Sequence, residues 1–130
     1  MDKNQSLKLL VVDDEPGIVD FTEKIYARRG FVTFGATDGI AAVEIFQKER
    51  PEISLIDIHM PYSLIDGIET LRRIKQINPN ACCIMITRIT DNEAVRQAKA
   101  LGALRYVTKP LELADLDKVI EEAKEKVQNG

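Results

Sequence analysis

Positive charge is in short supply in this chain: 18 Lys and Arg stand against 21 Asp and Glu, a net charge of −3. That balance carries no electrostatic footprint for DNA or RNA. Long apolar runs are missing too. None approaches bilayer-spanning length, and Met1-Asp2-Lys3-Asn4-Gln5-Ser6 lacks the apolar core of a signal peptide. These absences set the expectation of a cytoplasmic protein that binds neither nucleic acid nor membrane directly. Histidine occurs once, as His59, which excludes a His-rich metal site. Cysteine occurs twice, as the neighbours Cys82 and Cys83. Adjacent residues on a strand point to opposite faces, so a bond between them is implausible and two buried reduced thiols are expected. Solenoid repeats and low-complexity tracts are absent.

What the chain does contain is a series of short apolar runs alternating with helical patterns. Lys8-Leu9-Leu10-Val11-Val12, Phe31-Val32-Thr33-Phe34-Gly35, Ile53-Ser54-Leu55-Ile56, Ala81-Cys82-Cys83-Ile84-Met85-Ile86 and Leu104-Arg105-Tyr106-Val107 read as strands. Nearly continuous apolar strands belong to parallel sheets covered on both faces. Between them, Ile18, Phe21, Ile25 and Tyr26 recur at helical spacing up to Gly30, and Ile40, Val43, Ile45 and Phe46 up to Pro51. Ile68, Leu71, Ile74 and Ile77 form a third stripe behind Asp66. Thr90-Asp91-Asn92-Glu93 has the form of a capping box, opening a fourth helix that runs to Gly102. Leu113, Leu116, Ile120, Ala123 and Val127 mark the fifth. Residues 1–7 read as an irregular lead. Five βα units predict an α/β three-layer sandwich, (βα)5 and flavodoxin-like, with a parallel sheet of order 2-1-3-4-5. A single domain over 1–130, with its core at about 7–127, is expected.

In such a sheet ligands bind beyond the carboxyl ends of the strands, where the strand order switches. The first strand ends in Asp13 and Asp14, the third in Asp57, the fourth in Thr87, and the fifth leads to Lys109. Each has a bland reading alone: Asp13-Asp14 and Thr87 as caps, Lys109 as a solvated lysine, Asp57 as a loop carboxylate. Their convergence on one end of the sheet argues against all four at once. Three carboxylates without a cation repel one another. Mg²⁺ relieves this, since it is a hard ion that takes one or two carboxylates and bridges to phosphoryl oxygens. Thr87 then reads as a hydroxyl donor and Lys109 as a positive charge toward a phosphoryl group, with Asp57 as the nucleophile that forms an acyl phosphate.

Val12-Asp13-Asp14-Glu15, Asp57-Ile58-His59-Met60-Pro61, Thr87 and Lys109-Pro110 resemble the receiver domain of bacterial two-component response regulators, of the stand-alone, CheY-like kind. The resemblance implies that Asp57 accepts a phosphoryl group from a sensor histidine kinase or phosphotransfer protein. It implies Mg²⁺, with Mn²⁺ able to substitute, on Asp13, Asp14, Asp57 and the main-chain carbonyl of His59. It makes Thr87 and Tyr106 a switch pair, the face of the fourth helix, fifth strand and fifth helix the contact for a downstream protein, and Lys109-Pro110 a cis bond. The protein is then no enzyme in the ordinary sense, but a phosphoacceptor that catalyses its own phosphorylation and dephosphorylation.

The chain departs from the family pattern in three places. Tyr62-Ser63-Leu64-Ile65 puts four residues where the family has two, as an element of docking or packing. Arg88 follows Thr87 in place of a small residue. His59 and Ile89, at flanking positions that modulate phosphoryl lifetime in the family, are an unusual pair; the resemblance implies that they and Arg88 border the approach of water to the phosphoryl group, and two shielding side chains against one imidazole predict slow self-dephosphorylation. A Mg²⁺-dependent phosphohydrolase, a flavin-binding module and an inert receiver-like interaction domain are the competing readings.

Overall fold

Apolar strands pairing in parallel organise the computed structural model, which describes residues 6–88 and 91–129. Five strands, β1 (Lys8–Val12), β2 (Val32–Ala36), β3 (Ile53–Asp57), β4 (Cys82–Thr87) and β5 (Arg105–Thr108), alternate with five helices. These are α1 (Pro16–Arg28), α2 (Gly39–Glu49), α3 (Gly67–Ile77), α4 (Asn92–Ala100) and α5 (Leu113–Asn129). The sheet is parallel throughout, in the expected order β2-β1-β3-β4-β5.

Strand alternation divides the core into two layers. Leu10, Val12, Ile56, Cys83 and Met85 face α2, α3 and α4, packing with Ala42, Phe46, Leu71, Ile74 and Ala98. Leu9, Val11, Leu55, Cys82, Ile84 and Ile86 face α1 and α5, packing with Tyr26, Leu116, Ile120 and Ala123. Cys82 and Cys83 therefore lie on opposite faces as unbonded thiols. Every residue of β3 and β4 is buried. Each Ile or Leu so covered contributes about 1.5–3 kcal/mol, which is what holds an aspartate at the end of β3 out of water.

Three details differ from the sequence reading. The lead at 1–7 falls mostly outside the described residues, but Leu7 is a core residue. On α1 the buried stripe is Val19, Thr22 and Tyr26, while Phe21 is 64% exposed. At α4 the N-cap is Asp91 rather than Thr90, which lies outside the described residues, and the Asp91 side chain makes no capping bond. Asp38 and Asp66 do cap their helices, accepting from the backbone N–H of Ala41 and Glu69.

Candidate functional site: an acidic cluster at the carboxyl ends of the strands

The sheet's hydrogen bonding runs one residue past the strand ends and fixes the site. Asp13 N–H donates to Ala36 O (3.2 Å), Ile58 N–H to Ile86 O (2.9 Å) and Lys109 N–H to Thr87 O (2.8 Å). Asp13, the backbone beyond Asp57, and Lys109 are thereby held to the sheet rather than left on free loops. Asp13, Asp14 and Asp57 each bring a carboxylate oxygen within 4.8 Å of the others. Lys109 Nζ donates to Asp57 Oδ2 at 3.1 Å and lies 3.8 Å from Asp13 Oδ2. The Lys109-Pro110 bond is cis, as expected.

One ammonium does not neutralise three acids. Burial, followed by the charge of Asp13, pushes the Asp57 carboxyl up to about 6 against the bond and charge of Lys109. Burial likewise raises Asp13, opposed by the Glu15 N–H that its Oδ1 accepts at 2.9 Å. Burial draws the Lys109 ammonium down, yet the bond to Asp57 and the charges of Asp57 and Asp13 outweigh it and leave its pKa raised. Asp13 Oδ2 is buried with no hydrogen-bond partner among the described residues. A buried anionic oxygen without a donor is costly, and a hard divalent cation fits this all-oxygen set.

The remaining residues fall around this cluster. Thr87 is buried at the end of β4, and its hydroxyl donates to Arg88 O at 3.3 Å. Arg88 is exposed. Ile89 lies outside the described residues. Tyr106, on β5, is 44% exposed, with the Lys99 ammonium 5.5 Å from its ring centroid. The His59 imidazole pairs through Nε2 with Asp91. The pair joins the β3–α3 loop to the start of α4, whose N-cap side chain makes no capping bond. Sequence reading missed this partner, because Asp91 already looked like part of a capping box.

The four-residue loop Tyr62–Ile65 resolves into two halves. Ser63 Oγ accepts from Gly39 N–H (2.8 Å) and donates to Ile65 O (2.6 Å), tying the loop to the start of α2. Ile65 is partly buried against Gly39, where a Cβ would meet the Ile65 side chain at 2.5 Å. Tyr62 and Leu64 are each 93% exposed. Replacing Ile65 with Ser should therefore cost about 1–2 kcal/mol in urea unfolding, whereas Leu64→Ser should stay within about 0.5 kcal/mol. Equal losses would show that both side chains pack.

A second surface also went unseen in the sequence. Phe21, Ile18 and Ile25 of α1 line a cleft of about 410 Å³ with Leu111, Leu113 and Lys109, the lysine that bonds Asp57. Leu113, assigned to the core stripe of α5, is 40% exposed there.

Fold and cluster together define a class, phosphoacceptor modules on a five-stranded parallel sheet, and the comparisons agree. Residues 9–121 match the Response regulator receiver domain family, and the chain belongs to it. Its place is thus in phosphorylation-dependent signalling by two-component systems. It is 36% identical over 109 residues to Sporulation initiation phosphotransferase F of Bacillus subtilis (strain 168), covering 84% of this chain and 86% of that one. It is 31% identical to the Regulatory protein AtoC of Escherichia coli (strain K12) over 89% of this chain but 25% of that one. Among solved structures, a CheY-like receiver domain protein from Methanospirillum hungatei JF-1 superposes with a TM-score of 0.87 at 27% identity, covering 97% of this chain and all of that one. Among the described residues no helix is long and apolar enough to cross a membrane.

Proposed function

We propose that the protein is a cytoplasmic signalling switch in which Asp57 takes a phosphoryl group from the phosphohistidine of a sensor histidine kinase or phosphotransfer protein. The observation that carries this is the convergence of Asp13, Asp14 and Asp57 with Lys109, around a buried carboxylate oxygen that has no donor. An Asp57 oxygen attacks phosphorus, the P–N bond breaks, and the leaving imidazole takes up a proton. Lys109, already bonded to Asp57, is placed to hold a phosphoryl oxygen as negative charge arrives. Asp13, Asp14, Asp57 and the main-chain carbonyl of His59 would hold Mg²⁺, or Mn²⁺ in its place. The ion, when bound, offsets the charge of the carboxylates and of the transferring group.

The Thr87 hydroxyl stands at the end of β4, one residue past Ile86, the register partner of Asp57, and is the donor placed to respond to a phosphoryl group there. Its shift would open space for Tyr106 and alter the face made by α4, β5 and α5, which a downstream protein reads. Arg88 shields the acyl phosphate. The engagement of His59 with Asp91 supports a long lifetime, because it occupies a nitrogen that could otherwise act on water.

Incubation with acetyl phosphate and Mg²⁺ should add the mass of one phosphoryl group, read on the intact protein, and chelation or Asp57→Asn should abolish the gain. After donor removal the adduct should decay slowly, and faster in Arg88→Ala. Absence of any adduct in the wild type, or an undiminished one in Asp57→Asn, would overturn the assignment of Asp57. If His59→Ala slows a decay that is already rapid, His59 assists water and the lifetime ranking is wrong.

A further inference from the structure

At the amino ends of β3, β4 and β5, the opposite end of the sheet from the acidic cluster, lies a cleft of about 900 Å³. Its charged residues are Arg50, Lys75, Lys126 and Glu52, three cations against one acid in a chain whose net charge is −3. The acid has another task, since Glu52 Oε1 accepts the Lys8 N–H at 2.7 Å. Among the described residues none of the three cations forms an ion pair. A cation at a helix's last turn ordinarily answers that helix's carbonyl end. Lys75 does not: its ammonium donates to Ala81 O at 2.6 Å and Pro79 O at 3.3 Å, both beyond α3. It is thereby pinned across Gly102, where a Cβ would sit 3.6 Å from its Nζ, and one of its three N–H bonds is left for a ligand. Arg50 gives α2 only its backbone N–H, to Phe46 O at 2.9 Å. It does so in the left-handed conformation (φ 53°), at a helix end that glycine usually fills. An arginine held in a position that suits glycine points to a task for its side chain. On the cleft's floor, burial raises the Cys82 thiol, opposed by the charges of Lys75 and then Lys126, so both ammoniums bear on one spot.

We infer that this cleft binds a small organic phosphate of nucleotide size: its phosphate oxygens pair with Arg50, Lys75 and Lys126, and its organic part packs on Pro51, Leu104 and Val127. The guanidinium fork takes two oxygens of one phosphate, and the two ammoniums supply point charges beside it. A lone carboxylate would leave two of the three cations unmatched, whereas a phosphate or diphosphate engages them all. The volume stands at the upper end of small-molecule sites, which leaves room for a nucleoside beside its phosphates. Pro51 and Glu52 lead directly into β3, whose far end is Asp57, so the occupant would sit a full strand away from the acidic cluster. The inference is independent of the reading of Asp57 above.

The test uses ADP with a fluorescent group on its ribose, followed by anisotropy in the presence of a chelator, so that no metal ion brings the phosphates to the acidic cluster. The wild type should bind this probe saturably and release it to unlabelled ADP, and less readily to pyrophosphate, which lacks the organic part. Arg50→Gly with Lys126→Gln should weaken binding by about tenfold or more, as two charge-assisted contacts are lost. Both positions are exposed and glycine suits the φ at 50, so this variant should fold, which urea unfolding checks. Lys126→Gln alone should carry about a threefold part of the loss. Lys24→Gln with Lys118→Gln removes the same charge elsewhere and should weaken binding far less. Amide shifts on addition of ADP should centre on Asn80, Gly102 and Leu104. No saturable binding by the wild type, equal losses in the two double variants, or shifts centred on Asp14 and Lys109 would each overturn the assignment. Pyrophosphate displacing the probe as well as ADP does overturns its organic half and makes the cleft a site for free phosphate anions.

Discussion

Asp57→Asn will be more stable than the wild type at pH 7.5 in the presence of a chelator. The Asp57 carboxyl ordinarily titrates at 3.8 and is pushed up to about 6 in the folded protein by burial and by Asp13. A raised carboxyl pKa means the folded state holds its proton over a window in which the unfolded chain has lost it. Stability from this group is therefore fully present below 3.8, falls as pH rises to about 6, and is flat and unfavourable above. The difference corresponds to about 3 kcal/mol at most, reduced by the loss of the Lys109 bond in the variant. Urea unfolding of both proteins across pH 4–8 should show the gap opening as pH rises through the window and closing toward its acid end. Saturating Mg²⁺ should shrink the gap at pH 7.5, because it stabilises the wild type through the carboxylate it would bind. A gap independent of pH would locate the strain elsewhere.

Gly67→Ala should be the most damaging single methyl addition in the chain. A Cβ at Gly67 would lie 2.2 Å from the carbonyl oxygen of Asp57 and 2.6 Å from the Cα of Ile58. Both obstacles are backbone, and the same backbone accepts the Gly67 N–H at Ile58 O, 3.0 Å away. Relief requires α3 to move off the end of β3 or the Asp57–Ile58 backbone to shift. A loss of about 3 kcal/mol is expected, at the upper end of ordinary overpacking, with slower acetyl-phosphate loading in the fraction that remains folded. Gly17→Ala is the matched control: nothing lies within 4 Å of its Cβ, and its stability should stay within about 0.5 kcal/mol of the wild type. Similar behaviour of the two variants would mean that the close approach at Gly67 is easily relaxed.

The sheet order and the site acids were legible because both follow from where apolar runs stop. A strand buried on two faces needs nearly every residue apolar, so an aspartate at its end marks the point where the chain leaves the core. Helix faces were less legible. On α1, Ile18, Phe21 and Ile25 have the same spacing as Val19, Thr22 and Tyr26, one residue along. The two stripes differ by a rotation of about 100°, and periodicity cannot tell which one meets the sheet. The structure buries the stripe containing Thr22, and Tyr26 reaches Asp117 with its hydroxyl at 2.7 Å. Phe21 is left on a cleft instead. The pairing of His59 with Asp91 was illegible for another reason: it joins two loops, 32 positions apart in the chain, whose approach depends on the packing of α3 beside α4.

The opposite orientations of Cys82 and Cys83 give the molecule two built-in clocks. Burial pushes the Cys83 thiol up to about 12 and raises that of Cys82, so neither is reactive while its covering helices are in place. Cys82 is reached when the α1–α5 layer lifts, and Cys83 when the α2–α3–α4 layer does. Single-cysteine proteins exposed to a thiol reagent would therefore time the opening of each side of the sheet separately, from two consecutive residues of one strand.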